Sequence, residues 1–130
     1  MNGPRVETVR NLAQPQVQQF LMYEALDEGP SLIFVADEVM KYVAVNQTAC
    51  RILGYTREEL LTLAVPDVAV APEAPRIYDD MILARGHRGM TKIRAKDGQL
   101  LSLSYNAAEV RVSGLPYWVS IGHIEDDSSS

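Results

Sequence analysis

The spacing of apolar residues changes from helical to strand-like near residue 30. Over residues 15–29 they recur three and four positions apart with polar residues between them, which predicts an amphipathic helix that Gly29 and Pro30 end. Every residue of 32–36 is apolar, which predicts a strand buried on both faces, and residues 41–46 follow closely enough to pair with it as a hairpin. Residues 1–14 show no clean period, so we expect a flexible lead-in there.

Short helices are predicted after this hairpin. Residues 47–53 have apolar positions at helical spacing and precede Gly54, the residue type that a helix C-terminus prefers. Thr56 and Glu59 have the spacing of a capping box, which predicts that a second helix starts there and runs through Leu61.

The rest of the chain divides into a helical part and a strand-rich part. Prolines interrupt residues 63–74, which predicts an irregular segment with at most one helical turn, and an apolar stripe over 74–85 predicts a longer helix that Gly86 ends. Alternating apolar and polar residues then predict three antiparallel strands, over residues 91–96, 101–106 and 117–122, joined by turns at Asp97-Gly98 and Ser113-Gly114. Residues 126–130 form a polar tail.

Composition narrows the class of protein. A chain of 130 residues fits one domain, and no apolar run approaches the roughly 20 residues of a membrane span. The excess of 17 acidic over 12 basic residues argues against a nucleic-acid partner. One cysteine and two histidines support neither a disulfide nor a zinc site, and the N-terminus has no secretory leader, so we expect a cytoplasmic domain without a metal.

Two stretches carry a resemblance to a known family. The hairpin end Val43-Ala44-Val45-Asn46 and the following residues 48–60, TACRILGYTREEL, resemble the PAS sensory domain, and the Lys96-Asp97-Gly98 turn and the closing strand match it as well. The resemblance covers about residues 22–125. One departure is His123-Ile124-Glu125, which stands where the family usually has Asp-Ile-Thr before the effector. The contact by which that Asp couples the sheet to the linker is therefore not expected here.

The resemblance implies an α+β fold in which a five-stranded antiparallel sheet carries short helices on one face and an N-terminal amphipathic helix. Residues 30–125 would form this PAS core. Such domains are input modules of signalling proteins, among them the histidine kinases of two-component systems, and are covalently attached to an effector domain.

The inward-facing residues of such a sheet, together with residues of the helices that cover it, form a candidate ligand pocket that is almost wholly apolar, with two tyrosine hydroxyls as its main polar groups. Its candidate residues are Phe34, Ala36, Val43, Val45, Ala49, Leu53, Tyr78, Met81, Ile82, Ile93, Leu103, Tyr105, Val119 and Ile121. The alternative is that these side chains fill the core to normal density and leave no cavity.

The opposite face of the sheet needs a cover, since Ile33, Val35 and Trp118 would otherwise leave an apolar patch in water. The helix over 15–29 has an apolar stripe that suits this role, and in the family the same helix commonly pairs with its copy. We therefore expect a homodimer, with a candidate interface of Val17, Phe20, Leu21, Tyr23 and Trp118.

Cofactor and catalytic chemistry have little support. Cys50 precedes Gly54 and Tyr55, whereas the photoactive cysteine of flavin-binding relatives follows that junction. The helix over 74–85 lacks the histidine that haem-binding relatives place there, and no Gly-rich phosphate loop or cluster of catalytic residues appears.

The sequence thus predicts a non-catalytic PAS input domain without haem or flavin. It would sense a small, mainly apolar ligand or relay signals through a homodimer. The alternative function is a ligand-free interaction and dimerisation module with a filled core.

Overall fold

The computed structural model describes residues 3–70 and 86–125, with five helices and five strands. The helices are α1 (Gly3–Leu12), α2 (Pro15–Asp27), α3 (Gln47–Leu53), α4 (Arg57–Leu60) and α5 (Val65–Val68). The strands are β1 (Leu32–Ala36), β2 (Tyr42–Val45), β3 (Gly86–Arg94), β4 (Leu100–Val112) and β5 (Leu115–Ile124).

The strands form one antiparallel sheet in the order β2-β1-β5-β4-β3, so the first and last strands of the fold pair at its centre. Ser113 and Gly114 join β4 to β5 with φ of 52° and 82°, which suits the tight two-residue turn of a twisted hairpin. Gly98, with φ of 93°, supplies the turn between β3 and β4. The predicted five-stranded α+β fold is confirmed.

Several elements differ from their predicted bounds. Residues 3–12 form α1, a helix that the sequence pattern does not indicate. The expected flexibility of this lead-in stays a prediction. Gly86 opens β3, and β4 and β5 are longer than predicted because their distal residues pair with each other beyond the other strands. The predicted helix over 74–85 and the polar tail over 126–130 lie outside the described residues.

The local signals around α3 and α4 are confirmed. Gly54 caps α3 in the left-handed conformation, with φ of 80°. The Thr56 hydroxyl accepts a hydrogen bond from the Glu59 amide at 3.1 Å, and the Glu59 carboxylate accepts one from the Thr56 amide at 2.8 Å. A further hydrogen bond from Lys96 is the main reason that the pKa of Glu59 lies below its ordinary value. This bond ties α4 to the turn between β3 and β4.

Asn46 joins the N-terminal helix to the sheet. Its Oδ1 accepts hydrogen bonds from the amides of Ile33, at 2.9 Å, and Ala49, at 3.1 Å, and so caps α3. Its Nδ2 donates to the carbonyls of Leu26 and Ser31, both at 2.8 Å. The residue is 6% exposed, so water cannot replace these partners. One amide side chain therefore connects the end of α2, the start of β1 and the start of α3.

We expect Asn46→Ala to lower the free energy of unfolding by about 2–4 kcal/mol, because it removes a helix cap and leaves buried backbone groups unpaired. Urea denaturation measures this change. The matched control is Gln47→Ala at the next, half-buried position, which should change stability by less than about 0.5 kcal/mol. Equal stability of the two variants would contradict the role assigned to Asn46.

Candidate functional site

A cavity of about 60 Å³ lies against one face of the sheet, here called the inner face. That volume exceeds the roughly 10–15 Å³ that one water molecule needs. Residues from all five strands, from the turn before β2 and from the region of α5 line it: Phe34, Ala36, Met40, Tyr42, Val65, Ala69, Thr91, Ile93, Leu103, Tyr105, Ala107, Trp118 and Ser120.

Strand register decides which side chains face the cavity. Residues directly opposite each other in antiparallel strands point to the same face of a sheet. Phe34 of β1 pairs with Ser120 of β5, and Ala36 pairs with Trp118. Thr91 of β3 pairs with Leu103 of β4 in the same way. These pairings bring distant parts of the chain to one side.

The structure places the predicted pocket residues in four groups. Those lining the cavity are Phe34, Ala36, Ile93, Leu103 and Tyr105. Those buried in the core, but not among the lining residues, are Val45, Ala49 and Leu53. Those outside the described residues are Tyr78, Met81 and Ile82. Those placed elsewhere are Val43, Val119 and Ile121.

The predicted orientation of β5 is wrong. Val119 and Ile121 pair with Val35 and Ile33 on the outer face of the sheet, whereas Trp118 points inward and is only 7% exposed. Both alternating sets of β5 contain apolar residues, so the pattern alone could not choose between the two faces. Trp118 is therefore a cavity residue and is not available to the predicted dimer interface.

A bulge displaces Val43. The pairing of β1 with β2 shifts after Val35, so that Ala44 faces Val35 and Tyr42 faces Ala36. Val43 has no opposite residue and is 43% exposed. Tyr42 takes the inward position, with its ring centroid 5.4 Å from that of Phe34. Nothing in the sequence of this short strand marks the extra residue.

The sequence patterns did not assign several other lining residues to the pocket. Bridges join Lys41 to Ala64 and Ala69 to Ile93, and these bring Val65 and Ala69 against the sheet. Ala107 lies beyond the predicted end of its strand. The alternation over 101–106, carried one residue further, would have placed Ala107 inward.

The lining is neutral. It contains no Asp, Glu, Lys, Arg or His among the described residues. Burial raises the pKa of Tyr105, so its phenol stays protonated at neutral pH. The hydroxyl oxygen of Thr91 is shielded from solvent and is the one buried side-chain polar atom in the described part of the chain that lacks a hydrogen-bond partner.

The family model described as PAS fold matches residues 21–121. The chain belongs to the PAS family. Among curated proteins, none matches the sequence significantly.

Solved structures share the PAS fold. A PAS domain from a two-component sensor histidine kinase superposes with a TM-score of 0.77 at 15% identity, over 86% of this chain and all of that chain (100%). The PAS domain of an HTR-like protein from Haloarcula marismortui gives 0.77 at 17% identity, over 89% of this chain and 98% of that one. A light-oxygen-voltage domain studied with a flavin analogue gives 0.68 at 12% identity, over 92% and 90%. At these identities the likeness shows the fold alone.

The described residues of this PAS domain offer few cofactor ligands. Cys50 is buried in α3, where burial raises the pKa of its thiol, and it is not among the lining residues. His123 is exposed and lies 2.9 Å from the Glu125 carboxylate. Within residues 3–70 and 86–125 no group of three potential metal ligands occurs. The absence of haem and flavin stays a prediction.

Helix α2 leaves most of its apolar side chains in water. Val17 is half-buried, and Phe20, Leu21 and Tyr23 of the predicted interface are exposed, as are two further residues, Met22 and Leu26. Near its C-terminal end, α2 and the outer face of β1 and β2 border a groove of about 220 Å³. None of the described helices is long and apolar enough to cross a membrane.

Polar contacts hold the C-terminal end of α2. The Asp27 carboxylate forms an ion pair with Arg57 at 2.5 Å and accepts a hydrogen bond from the Gln47 amide at 3.0 Å. Arg57 also donates from Nε to the carbonyl of Val45 at 3.1 Å. The helix is thus tied to the core at one end while its apolar side remains accessible.

We expect Thr91→Val to raise the free energy of unfolding by about 1 kcal/mol, because it replaces an unpaired buried hydroxyl by a methyl group of similar size. Differential scanning calorimetry of the ligand-free protein measures the change. The matched control is Thr62→Val, since the exposed Thr62 hydroxyl donates to the Glu59 carbonyl at 2.6 Å. A destabilised Thr91→Val variant would show that the hydroxyl has a partner in solution.

Proposed function

We propose that this PAS domain is the input module of a signalling protein and senses a small, mainly apolar molecule in the inner-face cavity. The observation that carries the proposal is the cavity itself, whose described lining is mainly apolar and carries no charged side chain. We further propose that the domain works in the cytoplasm, attached to an effector such as a histidine kinase. Sensor histidine kinases among the proteins of the same fold support this setting.

A route from the cavity to α2 is available through β1. Phe34 and Ala36 line the cavity from β1. The amide of Ile33, in the same strand, donates to Asn46, and Asn46 donates to the last turn of α2 at Leu26. A ligand that displaces β1 would change the position of α2, and two arrangements of α2 would bias the effector.

The sensor function predicts that filling the cavity abolishes binding. Ala107→Leu adds three carbon atoms on the inner face, whereas Ala108→Leu, its neighbour on the outer face, leaves the cavity unchanged. We expect small apolar probes such as benzene to shift the amide resonances of Phe34 and Trp118 in the wild type and in Ala108→Leu. The same probes should leave those resonances of Ala107→Leu unchanged.

Two-dimensional NMR spectra of the labelled protein report these shifts, and thermal unfolding shows that both variants fold. If benzene and other apolar probes shift none of the resonances of cavity residues in the wild type, the sensor function is wrong.

The second candidate function is a dimerisation module that needs no ligand. Exposed apolar side chains on α2 favour it, with Phe20 62% exposed and no residue of the helix fully buried. A surface of this kind on a soluble domain is typical of an interface. Two copies joined through α2 would relay signals between their effectors without an occupied cavity.

We expect the wild type to sediment as a dimer, with twice the chain mass of 14.4 kDa. Phe20→Ser should weaken the dimer about tenfold or more, because it removes a large aromatic contact. The exposed neighbour Gln19→Ser is the matched control and should leave association unchanged. Sedimentation equilibrium measures all three proteins. A wild type that stays monomeric at about 100 µM, well above a micromolar Kd, contradicts this function.

A further inference from the structure

Helix α2 lies over one half of the outer face of the sheet, where it borders a groove with β1 and β2. The outward residues of β3, β4 and β5 form the other half, here called the β3–β5 face. We propose that the β3–β5 face receives α2 of a second copy of the chain, so that each helix lies between its own sheet and the sheet of its partner. The inference rests on the proposed dimerisation and names the surface that α2 contacts.

The β3–β5 face has an apolar, exposed floor. A groove of about 680 Å³ runs over it. Ile121 in this groove is 46% exposed, and Val110 is 39% exposed. An apolar surface with a polar rim is typical of a protein interaction site. The other residues that line the groove are Arg88, Asn106, Ala107, Ala108 and Val119.

A row of cations borders this floor on β3. Successive outward residues of the strand are Arg88, Met90, Lys92 and Arg94, and all four are exposed. Arg88 donates a hydrogen bond to the side-chain oxygen of Asn106 at 2.7 Å, which leaves its charge without a counter-charge in that contact. The outward residues of β3 and β4 include no Asp or Glu. This edge of the face is therefore positive, although the whole chain has a net charge of −5.

The side of α2 that faces away from its own sheet combines apolar and acidic groups. Met22, Tyr23 and Leu26 line the groove between α2 and its own sheet. At about 100° per residue, Leu21 and Glu24 lie on the opposite side of the helix. Both are exposed, Leu21 by 44%. This side thus offers an apolar side chain next to a carboxylate.

The charge and the length of α2 match the β3–β5 face. Residues 15–28 contain three acidic residues and no Lys or Arg, and Glu24 and Glu28 are exposed. The 13 residues of α2 span about 20 Å. The strand from Arg88 to Arg94 also spans about 20 Å. Opposite charges across an interface orient the partners and disfavour other arrangements.

A two-fold axis between the sheets closes this arrangement. Each copy contributes one α2 and one β3–β5 face, so two equivalent contacts form. A stable interface buries roughly 800 Å² on each partner, and here the helix side and the sheet face both contribute. Pairing of α2 with α2 alone would leave the cations and the apolar floor of the β3–β5 face in water. Charge complementarity therefore favours α2 on the sheet of its partner.

The first test reverses the charges on either side. Arg88→Glu with Arg94→Glu should weaken the dimer about tenfold or more, because like charges then face each other across the interface. Glu24→Lys with Glu28→Lys should weaken it by a similar factor for the same reason. The variant with all four substitutions should regain most of the affinity. Sedimentation equilibrium measures each Kd, and thermal unfolding shows that each variant folds.

The matched control for the two arginines is Lys41→Glu with Arg51→Glu. Both residues are exposed cations, in the turn before β2 and in α3, and their reversal changes the net charge by the same amount. At 0.15 M salt, charges more than about 8 Å from the interface are largely screened. We expect this control to leave the Kd unchanged within about twofold.

The second test locates the contact without any substitution. In dimers mixed from isotope-labelled and unlabelled chains, filtered NMR experiments detect nuclear Overhauser effects between subunits only. We expect such effects between Phe20 or Leu21 of one copy and the methyl groups of Val119 and Ile121 of the other.

The outcomes separate this inference from dimerisation itself. If the wild type is a dimer that neither charge reversal weakens, or whose intersubunit effects join α2 only to α2, the role of the β3–β5 face is overturned while dimerisation stands. A fourfold variant that stays as weak as either pair overturns the contact between these charges. Association beyond two copies overturns the two-fold arrangement. If the wild type stays monomeric at about 100 µM, the dimerisation function fails.

Discussion

The antiparallel register between β1 and β5 is the constraint on which the candidate site depends. Side chains alternate between the two faces of a strand, so a shift of one residue would exchange every inner for every outer side chain. In the observed register Trp118 and Ser120 face the cavity, and Val119 and Ile121 face outward. On the other side of β5, the pairing with β4 requires glycine at position 122, because a Cβ atom there would lie 2.4 Å from the Ser104 carbonyl oxygen. The close approach of β4 to β5 at this point admits no side chain.

A second constraint concerns the N-terminal helix. No residue of α2 is fully buried, so apolar packing within the described chain contributes little to its position. Instead, Asn46 donates a hydrogen bond to the carbonyl of Leu26, and Arg57 forms an ion pair with the carboxylate of Asp27. Because hydrogen bonds are directional, these contacts fix the end of the helix while leaving its apolar side accessible. A helix that polar contacts hold at one end, and whose apolar side is exposed, is suited to move as a rigid body when the sheet shifts.

The sequence predicted those parts of the fold that local chemistry determines. The Thr56 and Glu59 capping box, the end of α3 at Gly54 and the strand at β1 each depend on neighbouring residues, and each is confirmed. The predicted burial of β1 on both faces is not, because Ile33 and Val35 on its outer face are only half-buried. The resemblance to PAS domains supplied the topology. Sequence patterns were less useful where tertiary contacts decide, as in the extension of β4 and β5 beyond the rest of the sheet.

The candidate site was predicted only in part, for two physical reasons. In β5 both faces carry apolar side chains, since the outer face is itself half-buried, so hydrophobicity could not identify the inward set. The bulge at Val43 reverses the assignment of that residue and brings Tyr42 into the cavity. Thr91 was not predicted as a lining residue. Its buried hydroxyl has no hydrogen-bond partner, and no sequence pattern reveals such a feature.

The proposed function depends on the inner-face cavity, whose lining is determined by the register of β1 and β5. Xenon is the most direct probe of this cavity. Xenon enters apolar cavities without needing a hydrogen bond. Diffraction from crystals pressurised with xenon should show an atom on the inner face within van der Waals contact of Phe34, Ile93 and Trp118. Diffraction without xenon there, or with xenon only in the outer groove beside Val119 and Ile121, would contradict a cavity open to apolar ligands.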